Sequence, residues 1–234
     1  MKKKSLIVSL IVSMSLLIVG CNNGKSTSVK NNSKDDNSIS TYANNENNDS
    51  KDSITAYVGN NIFESSLDPI KGAMSYGYSF TNNALTRVNP NSEYEGDLAE
   101  SWSISEDSLI YTFNLKKGIK FQDGSDFTAE DVVFTYETVK NNQADNESVD
   151  LTRLKSVEAV DDYTVKFTLS EPYSPFFDSI ALLGIVPSDA YDSKVFDKSP
   201  IGTGPWKVIQ YNTDQQIIVQ AYEDYYEGTP EIKQ

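Results

Sequence analysis

Alternating hydrophobic and polar residues recur in short segments after residue 54. In "LIYTFNL" (109–115) and "YTVKFTL" (163–169) every second residue is apolar, a pattern typical of a strand with one buried face. The segments "LAESWSI" and "KSVEAV" precede them, separated by the polar turns "SEDS" and "DD". Each pair therefore predicts a β-hairpin, and "WKVIQY" with "QQIIVQAY" predicts a third.

Helical periodicity is clearest in "TAEDVVFTYETVKNN", residues 128–142. Thr128 can cap this helix, with Asp131 three residues further on. The residues that share one face are Ala129, Val132, Val133 and Tyr136. Two shorter helices are predicted in "AMSYGYSFTNNALTRV" and "SPFFDSIALL". Sheets with intervening helices place the fold in the mixed α/β or α+β class.

The N-terminus is basic and then apolar, which indicates export from the cytoplasm. Lysines at positions 2–4 precede "SLIVSLIVSMSLLIVG", so residues 1–20 are predicted to be a signal peptide. Serines interrupt the apolar run, which is shorter than the ~20 apolar residues of a membrane-spanning helix. The residues Ile18 to Cys21 resemble the lipobox of bacterial lipoproteins, which predicts acylation of the Cys21 thiol. The alternative is an ordinary secretory signal that leaves Cys21 as a free thiol.

Residues 21–53 form a polar segment after this cysteine. Asn and Ser dominate the segment, and Val29 and Ile39 are its only sizeable aliphatic residues. So polar a segment cannot bury enough apolar surface to offset the entropy of ordering, which predicts a disordered tether. As a flexible chain its ends would lie about 30 Å apart.

Composition excludes several classes of function. The chain has 34 acidic and 20 basic residues, and a formal charge of −14, which disfavours nucleic acid as a partner. It contains no histidine, so a Ser-His-Asp or Cys-His nucleophile and a histidine metal site are not expected. We therefore predict no catalytic residues and no cofactor.

Two motifs invite a ligand interpretation and lack the spacing for it. The acidic residues Asp123, Asp126, Glu130 and Asp131 do not follow the order of a calcium-binding EF-hand loop, and a turn before a capped helix accounts for them. The glycine-rich "IGTGPW" has neither the Lys-Ser/Thr of a P-loop nor the third glycine of a dinucleotide fingerprint. No metal site is predicted.

Aromatic residues cluster near glycine and proline at two places. Met74, Tyr76 and Tyr78 follow "LDPIKGA", and Tyr222, Tyr225 and Tyr226 follow the last predicted strand. Such side chains can form the wall of a ligand cleft, and they are also common in protein cores. The sequence pattern leaves both interpretations open.

The forty residues "LAESWSISEDSLIYTFNLKKGIKFQDGSDFTAEDVVFTYE", 98–137, resemble the signature region of the extracellular solute-binding proteins of the peptide and nickel class, family 5, the receptors of ABC importers. The resemblance continues upstream through "SLDPIKG" and "ALTRVNPNSEYEGDLAESW". Downstream it includes "YTVKFTLSEPYSPFF", "PIGTGPWKV" and "YYEGTPEIK". It therefore spans nearly all of residues 54–234.

The resemblance implies a two-lobed receptor whose lobes close on a ligand, with a subdomain inserted in the first lobe. Residues 54–90 and 199–234 would form the first-lobe core, and 91–198 the inserted subdomain. Ligand contacts in relatives come largely from the loop after the Asp-Pro pair and from loops facing the cleft. The expected contacts here are Met74, Tyr76, Tyr78 and Trp206.

The chain is shorter than members of this family and ends at "EIKQ", where relatives begin to cross into the second lobe. We expect a fragment that lacks the second lobe and binds its ligand weakly.

The leading hypothesis is an ABC-importer binding lipoprotein for oligopeptides or a nickel or other metal chelate. It would be extracytoplasmic and attached to the outer face of the cell membrane through its lipid. Its partners would be ABC permease subunits. The alternative is a surface-anchored interaction lipoprotein that no longer transports. An enzyme is disfavoured.

Overall fold

The computed structural model describes residues 66–72, 80–142, 146, 149–212 and 216–233. The predicted signal peptide, Cys21 and the predicted tether lie outside these residues. Within the described part of the chain, no helix has both the length and the apolar character needed to cross a membrane.

The described residues form strands and short helices in a mixed α/β arrangement, as predicted. The strands are β1 (Thr86–Val88), β2 (Tyr94–Gly96), β3 (Ala99–Ile104), β4 (Ile110–Leu115), β5 (Leu154–Asp161), β6 (Thr164–Leu169), β7 (Trp206–Asn212) and β8 (Gln216–Ala221). The helices are α1 (Ala129–Asn141), α2 (Phe176–Ala181) and α3 (Ser193–Phe196), with a 3-10 turn at Pro69–Lys71. All three hairpins predicted from alternation are present, as β3–β4, β5–β6 and β7–β8.

The main sheet is antiparallel with the strand order β3-β4-β6-β5. Its central strands present alternate side chains to the core, and Phe113 of β4 lies opposite Val165 of β6. Helix α1 packs on this face through Tyr136, whose ring meets Phe167 edge to face at 4.8 Å. Burial of each such aromatic ring contributes about 1.5 to 3 kcal/mol, so this sheet and helix form the centre of the core.

Helix α1 begins at the predicted cap. Asp131 Oδ2 accepts a hydrogen bond from the Thr128 backbone N–H at 2.9 Å. Its other oxygen accepts from the backbone N–H and hydroxyl of Ser188 at 2.8 and 2.9 Å. The predicted inward face is formed by Ala129, Val132 and Tyr136, while Val133 is only half-buried. One carboxylate thus starts the helix and attaches the 188 loop to it.

The helix predicted across residues 73–88 is wrong in its described part. Residues 80–85 are not helical, and Thr86–Val88 is strand β1. The backbone of this segment bonds to distant loops, with Ile185 N–H donating to Asn83 O at 2.9 Å and Asp97 N–H to Leu85 O at 3.1 Å. These long-range bonds replace the local bonds that a helix would need.

The strands of the β7–β8 hairpin contain one buried residue, Ala221. Among the described residues the two strands pair only with each other. Their side chains are mostly half-buried, and Ile209 is 52% exposed. The hairpin begins at Trp206, which joins it to the candidate site.

Candidate ligand-binding site

Of the four predicted ligand contacts, the structure locates one. Met74, Tyr76 and Tyr78 lie outside the described residues. Trp206 is half-buried at the start of β7, and its backbone N–H donates to Phe80 O at 3.1 Å. Trp206 is therefore next to the residue at which the predicted ligand loop rejoins the described chain.

Residues 80–83, of which 81–83 are buried, form an irregular segment that packs against the "IGTGPW" loop. Gly204 N–H donates to Thr81 O at 2.8 Å. A Cβ on Gly202 would lie 2.0 Å from Thr81 O, and one on Gly204 would lie 2.6 Å from Thr81 C. Because both obstacles are backbone atoms, neither position has room for a side chain. Close packing of two backbones accounts for these glycines.

Gln122 binds the same loop through its side chain and its backbone. Its Nε2 donates to Gly204 O at 3.0 Å and to Trp206 O at 2.8 Å. Its backbone N–H donates to Gly202 O at 2.9 Å, and its own carbonyl accepts from Lys207 Nζ at 2.8 Å. Nothing in the hydrophobic pattern distinguishes Gln122 from an ordinary turn residue, and sequence reasoning missed it.

Asn82 is a second residue that sequence reasoning missed. Its Nδ2 donates to Ile185 O at 3.0 Å and to Ile201 O at 3.1 Å. A Cβ on Gly184 would lie 3.0 Å from the Asn82 Cβ. Asn82 therefore joins the 185 loop to the start of the glycine-rich loop.

Asn83, whose N–H donates to Thr203 Oγ1 of the glycine-rich loop at 3.3 Å, belongs to a polar cluster. Its Nδ2 donates to both oxygens of Asp97 at 2.9 Å, and the Tyr226 hydroxyl also donates to Asp97. Asp97 is 4% exposed, and burial raises its pKa although Tyr226 and Asn83 oppose the shift. Burial and the neighbouring Asp97 likewise raise the pKa of Tyr226. The Tyr226 hydroxyl is therefore part of a hydrogen-bond network with Asp97 and Asn83.

Tyr222 and Tyr225 differ in their surroundings. Tyr222 is 4% exposed, and its hydroxyl donates to Phe121 O at 2.9 Å. Tyr225 is half-buried, and its hydroxyl donates to Glu227 Oε2 at 3.2 Å. Of the two interpretations open for these aromatic residues, Tyr222 fits that of a core residue.

The 3-10 turn before the predicted ligand loop is held by three side chains. Asp68 is buried, accepts from Ile70 N–H at 3.0 Å and from the Tyr191 hydroxyl at 2.7 Å. Asn146 Nδ2 donates to Ile70 O at 3.0 Å, and Lys71 Nζ pairs with Asp197 Oδ1 at 2.7 Å. Gly72, the residue before 73–79, therefore follows a turn that is held by hydrogen bonds. Phe80, the residue after 73–79, accepts the bond from Trp206 N–H.

Charges around this turn are partly buried. Burial raises the pKa of Asp68, although hydrogen bonds from Tyr191 and Ile70 oppose the shift. Partial burial also acts to raise the pKa of Asp197, but Lys71 and Ser66 outweigh it and hold this pKa below its usual value. The carboxylate that pairs with Lys71 stays ionised in neutral solution.

The acidic residues Asp123 and Asp126 bind partners within their own turn. Asp126 pairs with Lys120 at 2.6 Å, and Asp123 accepts from the Ser125 N–H at 3.0 Å and from its hydroxyl at 2.6 Å. In the residues that the structure describes, no group of three or more His, Cys, Asp or Glu is arranged to hold a metal ion.

Residues 93–234 match the family described as bacterial extracellular solute-binding proteins, family 5 Middle. The chain is 35% identical over 163 residues to heme-binding protein A of Haemophilus influenzae, covering 58% of this chain and 30% of that protein. It is 37% identical over 164 residues to the oligopeptide-binding protein AppA of Bacillus subtilis, covering 65% and 30%. The chain thus spans about 30% of the length of these relatives.

A solved structure shares the fold. NikZ from Campylobacter jejuni in complex with Ni(L-His) superposes with a TM-score of 0.66 at 30% identity. The superposition covers 72% of this chain and 35% of NikZ.

Proposed function

The chain belongs to the bacterial extracellular solute-binding proteins, family 5, and on that premise we propose that it supplies ligand-binding residues to the receptor of an ABC importer for short peptides. The observation that carries the proposal is the match over residues 93–234, which includes the main sheet, α1 and the β7–β8 hairpin. Its fold corresponds to one lobe of a two-lobed binding protein. Family 5 proteins bind solutes for transport, so no reaction is assigned to this chain.

The proposed ligand surface is formed by Trp206 and by the loop that carries Met74, Tyr76 and Tyr78. The family resemblance of the loop after the Asp-Pro pair and the proximity of Trp206 to Phe80 support it. Fixed backbone on both sides of a binding loop lowers the entropy that a ligand must remove on binding. The contacts of Asp68 before this loop, and the bond from Trp206 N–H to Phe80 O after it, supply such fixed backbone.

A metal chelate is the second candidate ligand. The structural similarity to NikZ with bound Ni(L-His) favours it. The sequence similarity to AppA, an oligopeptide-binding protein, favours a peptide ligand. The two ligand classes are distinguished by direct titration.

We propose further that the protein acts outside the cytoplasm, with Cys21 acylated and residues 21–53 as a tether to the outer face of the membrane. The residues Ile18 to Cys21 after a basic and apolar segment support this anchor. Partnership with ABC permease subunits follows from the family. The tether would keep the binding surface within reach of the permease.

We also propose that residues 54–90 and 199–234 form the first-lobe core and that residues 91–198 form the inserted subdomain. The main sheet and α1 both fall within the proposed subdomain. The packing of residues 80–83 against the 201–206 loop joins the two parts of the proposed core.

Fluorescence titration tests the ligand assignment. The chain has two tryptophans, so Trp102→Phe leaves Trp206 as the only one. Trp102 stacks on Phe113 at 6.3 Å between ring centroids, and phenylalanine preserves an aromatic ring there. We expect tetra-alanine to change the Trp206 emission in a saturable way, and Ni(L-His) to produce the change only if the chelate is the ligand.

Trp206→Ala on the natural Trp102 background is the matched control, with binding measured by calorimetry. Weaker binding of the active probe is expected, because the aromatic contact is lost. A folded chain that binds neither probe, or a Trp206→Ala variant with unchanged affinity, would contradict the proposed ligand surface.

A further inference from the structure

Gln122 has the donor and acceptor set that the glycine-rich loop requires. A primary amide offers two N–H donors and one carbonyl acceptor. Both donors are used, since Nε2 lies 3.0 Å from Gly204 O and 2.8 Å from Trp206 O. The Oε1 atom accepts from Gly202 N–H at 3.4 Å. One side chain thus binds the loop on both sides of Pro205.

Because Pro205 has no N–H, the loop has one backbone donor fewer, and the side-chain bonds from Gln122 contribute more to fixing its conformation. Proline has no N–H, so residue 205 cannot donate a backbone hydrogen bond that would fix its own peptide. The carbonyls of the residues before and after it are instead bound by the same amide. At Trp206 the N–H donates to Phe80 O and the carbonyl accepts from Gln122. The Pro205 carbonyl of the same peptide accepts from Tyr222 N–H at 2.8 Å, so Gln122 is the side chain among the groups that fix this backbone.

Gln122 is itself held by a closed turn. Phe121, the residue before it, is fully buried, and its N–H donates to Ser125 O at 2.9 Å. Gly124 N–H returns a bond to Phe121 O at 2.9 Å, and Gly124 adopts a positive φ of 92°. Lys207 Nζ binds the Gln122 carbonyl from the loop side at 2.8 Å. The backbone that carries the Gln122 side chain is therefore held by hydrogen bonds.

We propose that Gln122 is a positioning residue that fixes the backbone of residues 202–206 and thereby the orientation of the Trp206 ring. Its effect on ligand affinity rests on the proposed function, in which Trp206 contacts the ligand. Its effect on the Trp206 ring does not depend on any ligand. The two effects are measured separately.

The Trp102→Phe background provides the test in the full chain. Gln122→Glu keeps the shape and length of the side chain but removes both N–H donors to the loop carbonyls. Gln210→Glu is the matched control, because Gln210 is exposed on the same strand as Trp206 and receives the same added charge. Circular dichroism and the urea midpoint establish that each variant is folded.

We expect Gln122→Glu to increase acrylamide quenching of Trp206 and to shift its emission, while Gln210→Glu leaves both as in the background protein. Hydrogen exchange at the Trp206 and Gly204 N–H groups should accelerate in Gln122→Glu alone. Unchanged quenching and exchange in folded Gln122→Glu would overturn the proposal. If Gln122→Glu fails to fold, Gln122→Ala is used, and loss of folding in both variants would show a structural role and also overturn it.

Titration with tetra-alanine tests the effect of Gln122 on ligand affinity. Loss of two hydrogen bonds that orient a contact residue should weaken binding about tenfold in Gln122→Glu. Absence of probe binding in the background protein contradicts the proposed function and leaves the quenching result to decide the role of Gln122. Unchanged affinity together with altered quenching would show that Gln122 positions a Trp206 ring that tetra-alanine does not contact. That result would overturn the proposed effect of Gln122 on ligand affinity.

Discussion

The buried Asp97 carboxylate yields the sharpest stability prediction. Tyr226→Phe removes the hydroxyl that donates to Asp97 and leaves the ring in place beside Tyr225, whose centroid is 4.8 Å away. Hydrogen bonds to charged groups contribute about 1.5 to 3 kcal/mol. We expect the free energy of unfolding to fall by about that amount at pH 7, which lowers Tm by about 3 to 12 °C for a chain of this size.

The loss should depend on pH with a definite sign. The pKa of Asp97 in the folded protein is raised above its usual value of 3.8, so ionisation of Asp97 destabilises the fold as pH rises through the raised pKa. Tyr226 and Asn83 oppose that shift, as does the charge of Arg87, whereas the charge of Glu227 adds to it. Without the Tyr226 hydroxyl the pKa rises further, so the destabilisation should be larger at pH 7 than near pH 4.

Urea unfolding at the two pH values, followed by circular dichroism, measures this difference. Tyr225→Phe is the matched control, because its hydroxyl meets Asn83 Nδ2 only at 3.5 Å and Glu227 at 3.2 Å. The control should lose less stability than Tyr226→Phe. Equal losses for Tyr226→Phe at both pH values, or a loss below about 0.5 kcal/mol as for an ordinary surface substitution, would refute the assignment of the hydroxyl to an ionised Asp97.

Three further predictions concern the loop, the anchor and the strands. Gly204→Ala should lower the free energy of unfolding by about 1 to 3 kcal/mol, as overpacking does, because its Cβ would lie 2.6 Å from Thr81 C; an unchanged urea midpoint would contradict the close packing. Cys21→Ser should abolish metabolic lipid labelling and partition into the detergent phase, and membrane retention equal to wild type would contradict the anchor. Hydrogen exchange should be slow in β4 and β6, whose alternate side chains are buried, and fast in β8 and in β7 after Trp206, whose side chains are mostly half-buried or exposed; equal protection would show that the hairpin is covered in solution.

Local patterns predicted the elements whose stabilising contacts are local or periodic. Tyr111, Phe113 and Leu115 alternate in the sequence and are buried together in β4. Thr128 and Asp131 lie three residues apart and meet at the start of α1. In both cases the information needed to form the element is contained within one segment.

The candidate site depended on contacts that no local pattern contains. Gln122 meets residues of the glycine-rich loop that are 80 to 84 positions away in the sequence, and Asn83 meets Tyr226 across 143 positions. The helix wrongly predicted through residue 88 failed for the same reason, since distant carbonyls and N–H groups pair with its backbone. The family resemblance put forward Trp206 as a predicted contact, whereas the residues that bind its backbone required the tertiary structure.

The contact between Thr81 and the two glycines also constrains the order of folding. The Asn83 N–H and Thr203 Oγ1 meet across 120 positions of chain, and the entropy of closing so long a loop is largest when the intervening residues are still unfolded. The β3-β4-β6-β5 sheet lies within that interval and is built from hairpins with short connections, which close first. Prior folding of this sheet shortens the effective loop, so the 80–83 segment and the 201–206 loop should be among the last parts to dock. If this loop docks last, Trp206 stays exposed to solvent until the end of folding, which gives the folding reaction a late fluorescent phase separate from the formation of the sheet.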